Sequence, residues 1–372
     1  MSRFLRHLIG PALALSTIGA VAFAQQYNQI NLVANTSGVA PVTDSDLINP
    51  WGMARSSSSP WWIADNKTGV STLYNGAGSK LGLTVTIPAA TAGKTGTPTG
   101  TIYNGSPTDF LLAPGKPAVF LFCTLDGTVV GWNPTVGAMT VVKTTDNSSF
   151  TGLTSFTTNG GHRYLYVANF NKGRVDVYDS AFHRVHVGEE HFDDDTLPPG
   201  FVPFNVQLIG ENIVVTYALH EDDNPHETDG PGLGYVDIYA QDGRLLLRLE
   251  HGDWLNAPWG VALAPLDFGT FSHALLIGQF AGGGTTQSSG YIAAYDLTTG
   301  RFRGLLEDTS GNPLAINGIW AISPGNTSPN NFDSAGAPSA ELYFTAGPNH
   351  GSGGLLGYLT AVSSNLVQGN DQ

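Results

Sequence analysis

The sequence predicts an all-β fold, a six-bladed β-propeller with four-stranded antiparallel blades, closed by the N-terminal strand. Three observations carry the prediction. First, the stretch from Phe201 to Leu249 reads as four short β-rich runs, FVPFNVQLIG, ENIVVTYAL, GYVDIYA and GRLLLRLE, divided by turn residues. Second, related runs recur on both sides. These are NPWGMA, PWWIAD and GVSTLY from Asn49; PTDFLLA, AVFLFC and GTVVGWN from Pro107; and FTGLTSF, RYLYVAN and GRVDVYD from Phe150. APWGVALAP, HALLIGQ and GYIAAYD follow from Ala257, then INGIWAIS, AELYFTA and GLLGYLT from Ile316. A sheet with two apolar faces cannot bury both by itself, so each copy must stack on its neighbours. Third, YNQINLVA at Tyr27 to Ala34 has no blade of its own, while the last copy shows three strands. Pairing the two closes the ring and leaves no unpaired sheet edge.

Within this frame the segments take their places in order. Residues 1–24 read as a secretory leader: a basic start from Arg3 to His7, an apolar stretch from Leu8 to Phe23, and Ala22-Phe23-Ala24 before Gln25. Residues 25–362 form one propeller domain and 363–372 a polar tail. The leader implies a secreted or periplasmic protein that does not stay in the membrane after cleavage, and a monomer is expected. Leu81 to Tyr103 is assigned the outer strand of blade one and a polar excursion.

Composition narrows the function. Charged residues make up 12% of the chain, against about 25% in an average soluble domain. The formal net charge is −14, which repels phosphates and argues against a nucleic-acid partner. The 47 glycines and 22 prolines supply the many turns that short strands require. Cys123, the single cysteine, ends the apolar run AVFLFC, so it reads as a buried thiol without a disulfide.

Nearly all the longer and chemically varied loops fall on one rim, here called the upper rim, where the links between second and third strands and between blades emerge; Gly325 to Ser339 is the long link expected on the lower rim. Two acidic segments lie there beside blade four: Glu189 to Asp195, holding Asp193 and Asp195, and His220 to Asp229, holding Glu221, Asp222 and Asp223. Concentrated acids read either as a solvated rim or as a calcium site, since calcium takes six to eight oxygens. His191, His220, His226 and His350 would instead suit a transition metal. Trp51 and Trp259 share a Pro-Trp-Gly setting and, with Trp320, read as packing between blades. Trp61 and Trp254 read as turn residues offering faces for sugar stacking.

Nearer the axis, one column across the innermost strands collects Gly52, Asp109, Gly152, Asn205, Gly260 and Gly318, with Asp65, Asn169 and Gln279 at the ends of second strands. This distribution of residue types resembles the channel mouth of gluconolactonase and paraoxonase propellers. The resemblance implies calcium held by Asp65, Asp109, Asn169 and Asn205 and polarising a lactone or ester carbonyl. His220 or His350 would be the base, since imidazole titrates near neutrality. Asn49-Pro50-Trp51-Gly52, Tyr164 to Asp179, Leu197-Pro198-Pro199-Gly200 through Gln207, and Gly234 to Tyr239 together resemble an uncharacterised family of secreted bacterial six-bladed propellers. NHL-repeat proteins, which mostly bind partners, are a more distant likeness. Two functions follow as expectations. One is a module binding an extracellular glycan or peptide through the upper rim. The other is a calcium-assisted hydrolase or lactonase acting on a small ester or sugar lactone. No serine sits in a strand-turn-helix elbow.

Overall fold

The computed structural model describes residues 25–186, 192–221, 224, 226–281, 289–325 and 340–362. The leader and the tail lie outside the described residues. Six antiparallel sheets surround one axis, each running from an inner strand to an outer one. The six inner strands are Pro50–Ala54, Pro98–Tyr103, Phe150–Thr157, Phe201–Ile209, Pro258–Leu263 and Ile319–Pro324. Blade six is completed from the other end of the chain: Tyr27–Ala34 pairs antiparallel with Leu355–Ala361, in a register that joins Tyr27 to Ala361 and Ala34 to Leu355. Ring closure thus forms as the unassigned first strand implied.

One assignment is corrected. The inner strand of blade two is Pro98–Tyr103, and the run containing Asp109 lies on an excursion ahead of Phe120–Thr124. PTGTIY lacks the apolar signature of a buried strand because the axis is crowded. A Cβ on Gly100 would sit 2.6 Å from Leu153 and 2.9 Å from its backbone nitrogen, so small residues are required where large ones mark the strands farther out. The column residue of blade two is therefore Gly100. In blade six it is Ala321, since the strand starts at Ile319, after Gly318.

Every inner strand carries a register shift at the same height. Pairing skips between Pro50 and Met53, Phe150 and Gly152, Pro203 and Asn205, Pro258 and Gly260, Ile319 and Ile322, and opposite Pro98 of blade two. A bulge inserts an unpaired residue and re-aims its side chain. The residues so placed are Trp51, Thr99, Thr151, Phe204, Trp259 and Trp320, one per blade.

The core is divided, with an apolar cluster between each pair of adjacent blades, and the cluster between blades six and one also reaches across the axis. Phe110, Leu121, Leu153 and Leu165, for example, join blades two and three, and Val214, Ile238, Val261 and Ile277 join four and five. Cys123 belongs to the former cluster and is fully buried, its thiol pushed up to about 12 by burial, as expected of an inert side chain. No helix among the described residues is long and apolar enough to cross a membrane.

Candidate functional site

The six bulges converge on an aromatic plug. Trp51 stacks on Trp320 with ring centroids 3.7 Å apart, and Trp259 meets both edge-on at 6.1 and 5.8 Å. Phe204 and Phe280 flank the group, the latter stacked on Trp320 at 4.1 Å. The Trp320 indole N–H donates to Asn49 Oδ1 at 2.9 Å, and that of Trp259 donates to the Thr151 carbonyl at 3.0 Å. Asn49 takes a left-handed conformation with φ 50°, which asparagine tolerates better than most residues. Its amide passes the hydrogen bonds on to Asn66 Oδ1, and Asn66 donates to the Pro98 carbonyl.

Above the plug lies a cavity of about 500 Å³, within the size range of small-ligand sites. Its floor is Trp51, Trp320, Phe170, Phe204 and Phe280, and its walls include Asn66, Lys67, Asn171, His226, Glu227, Asp229 and His350. Two buried polar atoms of the floor, Trp51 Nε1 and Thr151 Oγ1, have no hydrogen-bond partner among the described residues. An unmet buried polar group costs about 1–3 kcal/mol. Glu227, half-buried, has its carboxyl pushed up to about 7 by the surrounding walls. Burial raises Asp229 to about 6, while the neighbouring His350 pulls it back down.

The expected site residues are distributed differently. Asp65 is fully buried; its Oδ2 accepts from the Thr72 amide at 3.0 Å and hydroxyl at 2.7 Å, and burial lifts its carboxyl well above the usual range. Its Oδ1 is unpartnered among the described residues. Asn169 donates to Ser148 and to Asp176, and Asn205 donates to the Trp259 carbonyl at 2.7 Å. Asp109 leaves the axis altogether and accepts from Ser106 at 2.6 Å. Among the described residues no three His, Cys, Asp or Glu side chains gather as a metal would require. Of the four residues expected to hold calcium, Asp109 lies off the axis, and Asn169 and Asn205 spend their amide N–H groups within the protein.

Near blade four, Asp193 and Asp195 are exposed, and Asp194 between them pairs with Arg248. Glu221 accepts from the Thr228 hydroxyl at 2.8 Å. Asp222 and Asp223 lie outside the described residues, as does His191. His220 packs its ring on Phe170 at 4.6 Å and donates from Nε2 to the Asn224 carbonyl at 3.0 Å, so that nitrogen is committed as a donor. His350 does reach the cavity. Trp61 is a correction: it lies in the strand Trp61–Asp65, buried against Tyr343, and offers no sugar-stacking face. Trp254 is covered by Phe302, with ring centroids 4.0 Å apart.

Glu227 and Asp229 were not singled out in the sequence, where they sat inside an acidic run. Their signal was period two on a short extended segment, Glu227–Thr228, which pairs with the end of Asn212–His220. Residues two apart on a strand share a face.

No family model matches the chain. It is 31% identical over 342 residues to the uncharacterised protein R648 of Acanthamoeba polyphaga mimivirus, covering 88% of this chain and 78% of that protein. It is 28% identical to protein L690 of the same virus, covering 88% and 84%. These relatives are viral, and the expected bacterial character of the family draws no support from them. Among solved structures, soluble aldose sugar dehydrogenase from Escherichia coli is similar with TM-score 0.51 and 12% identity, covering 91% of this chain and all of that one. A streptogramin B lyase gives TM-score 0.45 at 12% identity, covering 92% of this chain and all of that one. At such identity the dehydrogenase likeness bears on the fold alone. The chain belongs to the protein family of mimivirus R648.

Proposed function

We propose that the protein is an exported binding propeller that takes part of an extracellular glycan or peptide into the upper mouth of its channel. The observation that carries this reading is the aromatic floor of the cavity, ringed by polar side chains. A ligand with a flat apolar face and polar edges fits that arrangement: the face covers the rings and the edges meet the walls. All six blades contribute to the mouth, so the site depends on the closed ring. Blades one and four supply Asn66, Lys67, Glu227 and Asp229. Blade six supplies His350.

The mature protein should be screened on glycan and peptide arrays, and hits should be titrated by tryptophan fluorescence. Trp51 and Trp320 lie in the floor, so a ligand seated there should perturb their emission. A protein that binds nothing on either array, yet turns over lactones or aryl esters, would sink the binding reading in favour of hydrolysis.

A further inference from the structure

The upper cavity holds two acids without an ion pair to Lys or Arg among the described residues. Of the buried carboxylates elsewhere, Asp65 is met by the Thr72 donors and three meet cations. Asp176 is bracketed by Arg174 and Arg184 at 2.8 and 2.7 Å, Asp237 by Arg248 at 2.8 Å, and Asp44 by Lys80 at 2.8 Å. Glu227 and Asp229 face a common cavity with no ion pair to Lys or Arg among the described residues. Lys67 is exposed on the blade-one link, across the ring from blade four. The other titratable groups in the walls are His226 and His350. Two acids therefore lean over an aromatic floor, and the floor carries two unpartnered polar atoms, Trp51 Nε1 and Thr151 Oγ1. Trp51 is 6% exposed and Thr151 2%.

Each feature constrains the ligand. The paired acids call for a cation that donates several hydrogen bonds, as an ammonium does. The aromatic floor favours a cation too, and accepts a flat apolar face. A hydroxylated ring bearing a primary amine meets both demands in one rigid unit.

We infer, building on the binding reading above, that the cavity selects an amino sugar with a free amine, the glucosamine unit of a deacetylated oligosaccharide. Its ammonium lies between Glu227 and Asp229 and its ring against the aromatic floor. Burial keeps Glu227 protonated to about pH 7 in the free protein, and the ammonium favours its ionised form, so below about pH 7, where the sugar is already an ammonium, binding releases a proton. Affinity then falls by up to about tenfold per pH unit below 7.

The test compares three β-linked tetrasaccharides that differ at the C2 substituent: chitosan tetraose with amines, chitin tetraose with acetamides, and cellotetraose with hydroxyls. A lysine-containing tetrapeptide is the fourth probe. Titration calorimetry in two buffers of different ionisation enthalpy reads affinity and proton release together. Near neutral pH the chitosan oligomer should bind about tenfold or more tightly than the other two sugars. The Glu227→Gln, Asp229→Asn double variant should remove that preference and the proton release, while retaining binding of the neutral sugars. Equal affinity for all three sugars would overturn the amino-sugar inference and leave the glycan-binding reading standing. Binding of the peptide alone would overturn the inference in favour of a basic side chain. Binding of none of the four would overturn it together with the reading on which it rests.

Discussion

The two ends of the axial channel are built by the same six strands, yet they present different chemistry. The upper cavity, about 500 Å³, is walled by Lys67, His226, Glu227, Asp229 and His350 over aromatic rings. The lower chamber, about 250 Å³, is lined by Gly52, Gly100, Thr101, Asn205, Gln207 and aliphatic side chains, with no charged residue in its lining. On the lower side of blade four, Phe201–Ile209 turns through Gly210 and Glu211 directly into Asn212–His220. On the upper side the chain leaves the sheet between His220 and Gly234 and brings the paired acids over the axis. Strand register fixes where both mouths lie, and loop length decides which of them acquires reactive side chains.

The severest way to break this contrast is to open the ring. Deleting Gln25 to Ala34 removes the strand that pairs along Leu355–Ala361 and exposes an unpaired edge. Both mouths should be lost together, seen as aggregation or a melt without a cooperative transition. An unchanged thermal transition would refute the closure.

Next in size is Trp320→Ala, which joins the chambers by removing the ring held between Trp51 and Phe280. A cost of about 3–5 kcal/mol is expected for so large a buried truncation, measured by denaturant titration. The Asn49 side-chain oxygen also loses its indole donor.

Gly152→Ala separates the two ends. Its new Cβ would fall 1.8 Å from Asn205 Oδ1, on the lower side of the plug, where overpacking costs about 1–3 kcal/mol. The variant should melt earlier while any ligand of the upper cavity binds with unchanged affinity. Parallel loss of both would show the chambers to be coupled through the plug.

Smaller still is the pH dependence of stability set by Glu227. Its folded pKa is raised from 4.5 to about 7, so the folded state holds the proton more tightly. Its contribution is complete below the unfolded value and is lost as pH rises through about 7. Glu341 and Asp237, also raised, titrate in the same window, so the comparison must be between wild type and Glu227→Gln. The wild type should lose about 2 °C or less relative to the variant between pH 5 and 8. Below about pH 7 ligand affinity should move in the opposite direction, increasing with pH, and that opposition separates a binding group from a purely structural one.

The smallest effect expected is that of calcium. Asp194 is already paired with Arg248 and Glu221 with Thr228, so these acids have local partners. Chelation followed by added calcium should shift the melting temperature by less than about 1 °C. A larger rise, greater with calcium than with magnesium, would revive the calcium site and place it on Asp222 and Asp223.

What the sequence determined by itself is the repeat and its closure. Strand alternation is local, and Trp51 and Trp259 in their Pro-Trp-Gly settings, like Trp320 in the last copy, mark inner strands without any knowledge of the ring. The odd strand Tyr27–Ala34 and the short last copy are features of chain order, and together they specify the joint. Blade two escaped because its inner strand, PTGTIY, meets Leu153 and Gly152 at the crowded axis and so lacks the apolar residues on which strand recognition depends. The candidate site was legible only in part. His350 was visible as a rim histidine, but Glu227 looked the same as Glu221 two turns of chain away. Burial against rings from other blades is what distinguishes them, and it depends on contacts between residues hundreds of positions apart. Trp320 donating to Asn49 and Trp259 donating to Thr151 are contacts of that kind. They exist only once six separate sheets share one axis, because a side chain aimed at the axis has no partner until the ring is closed.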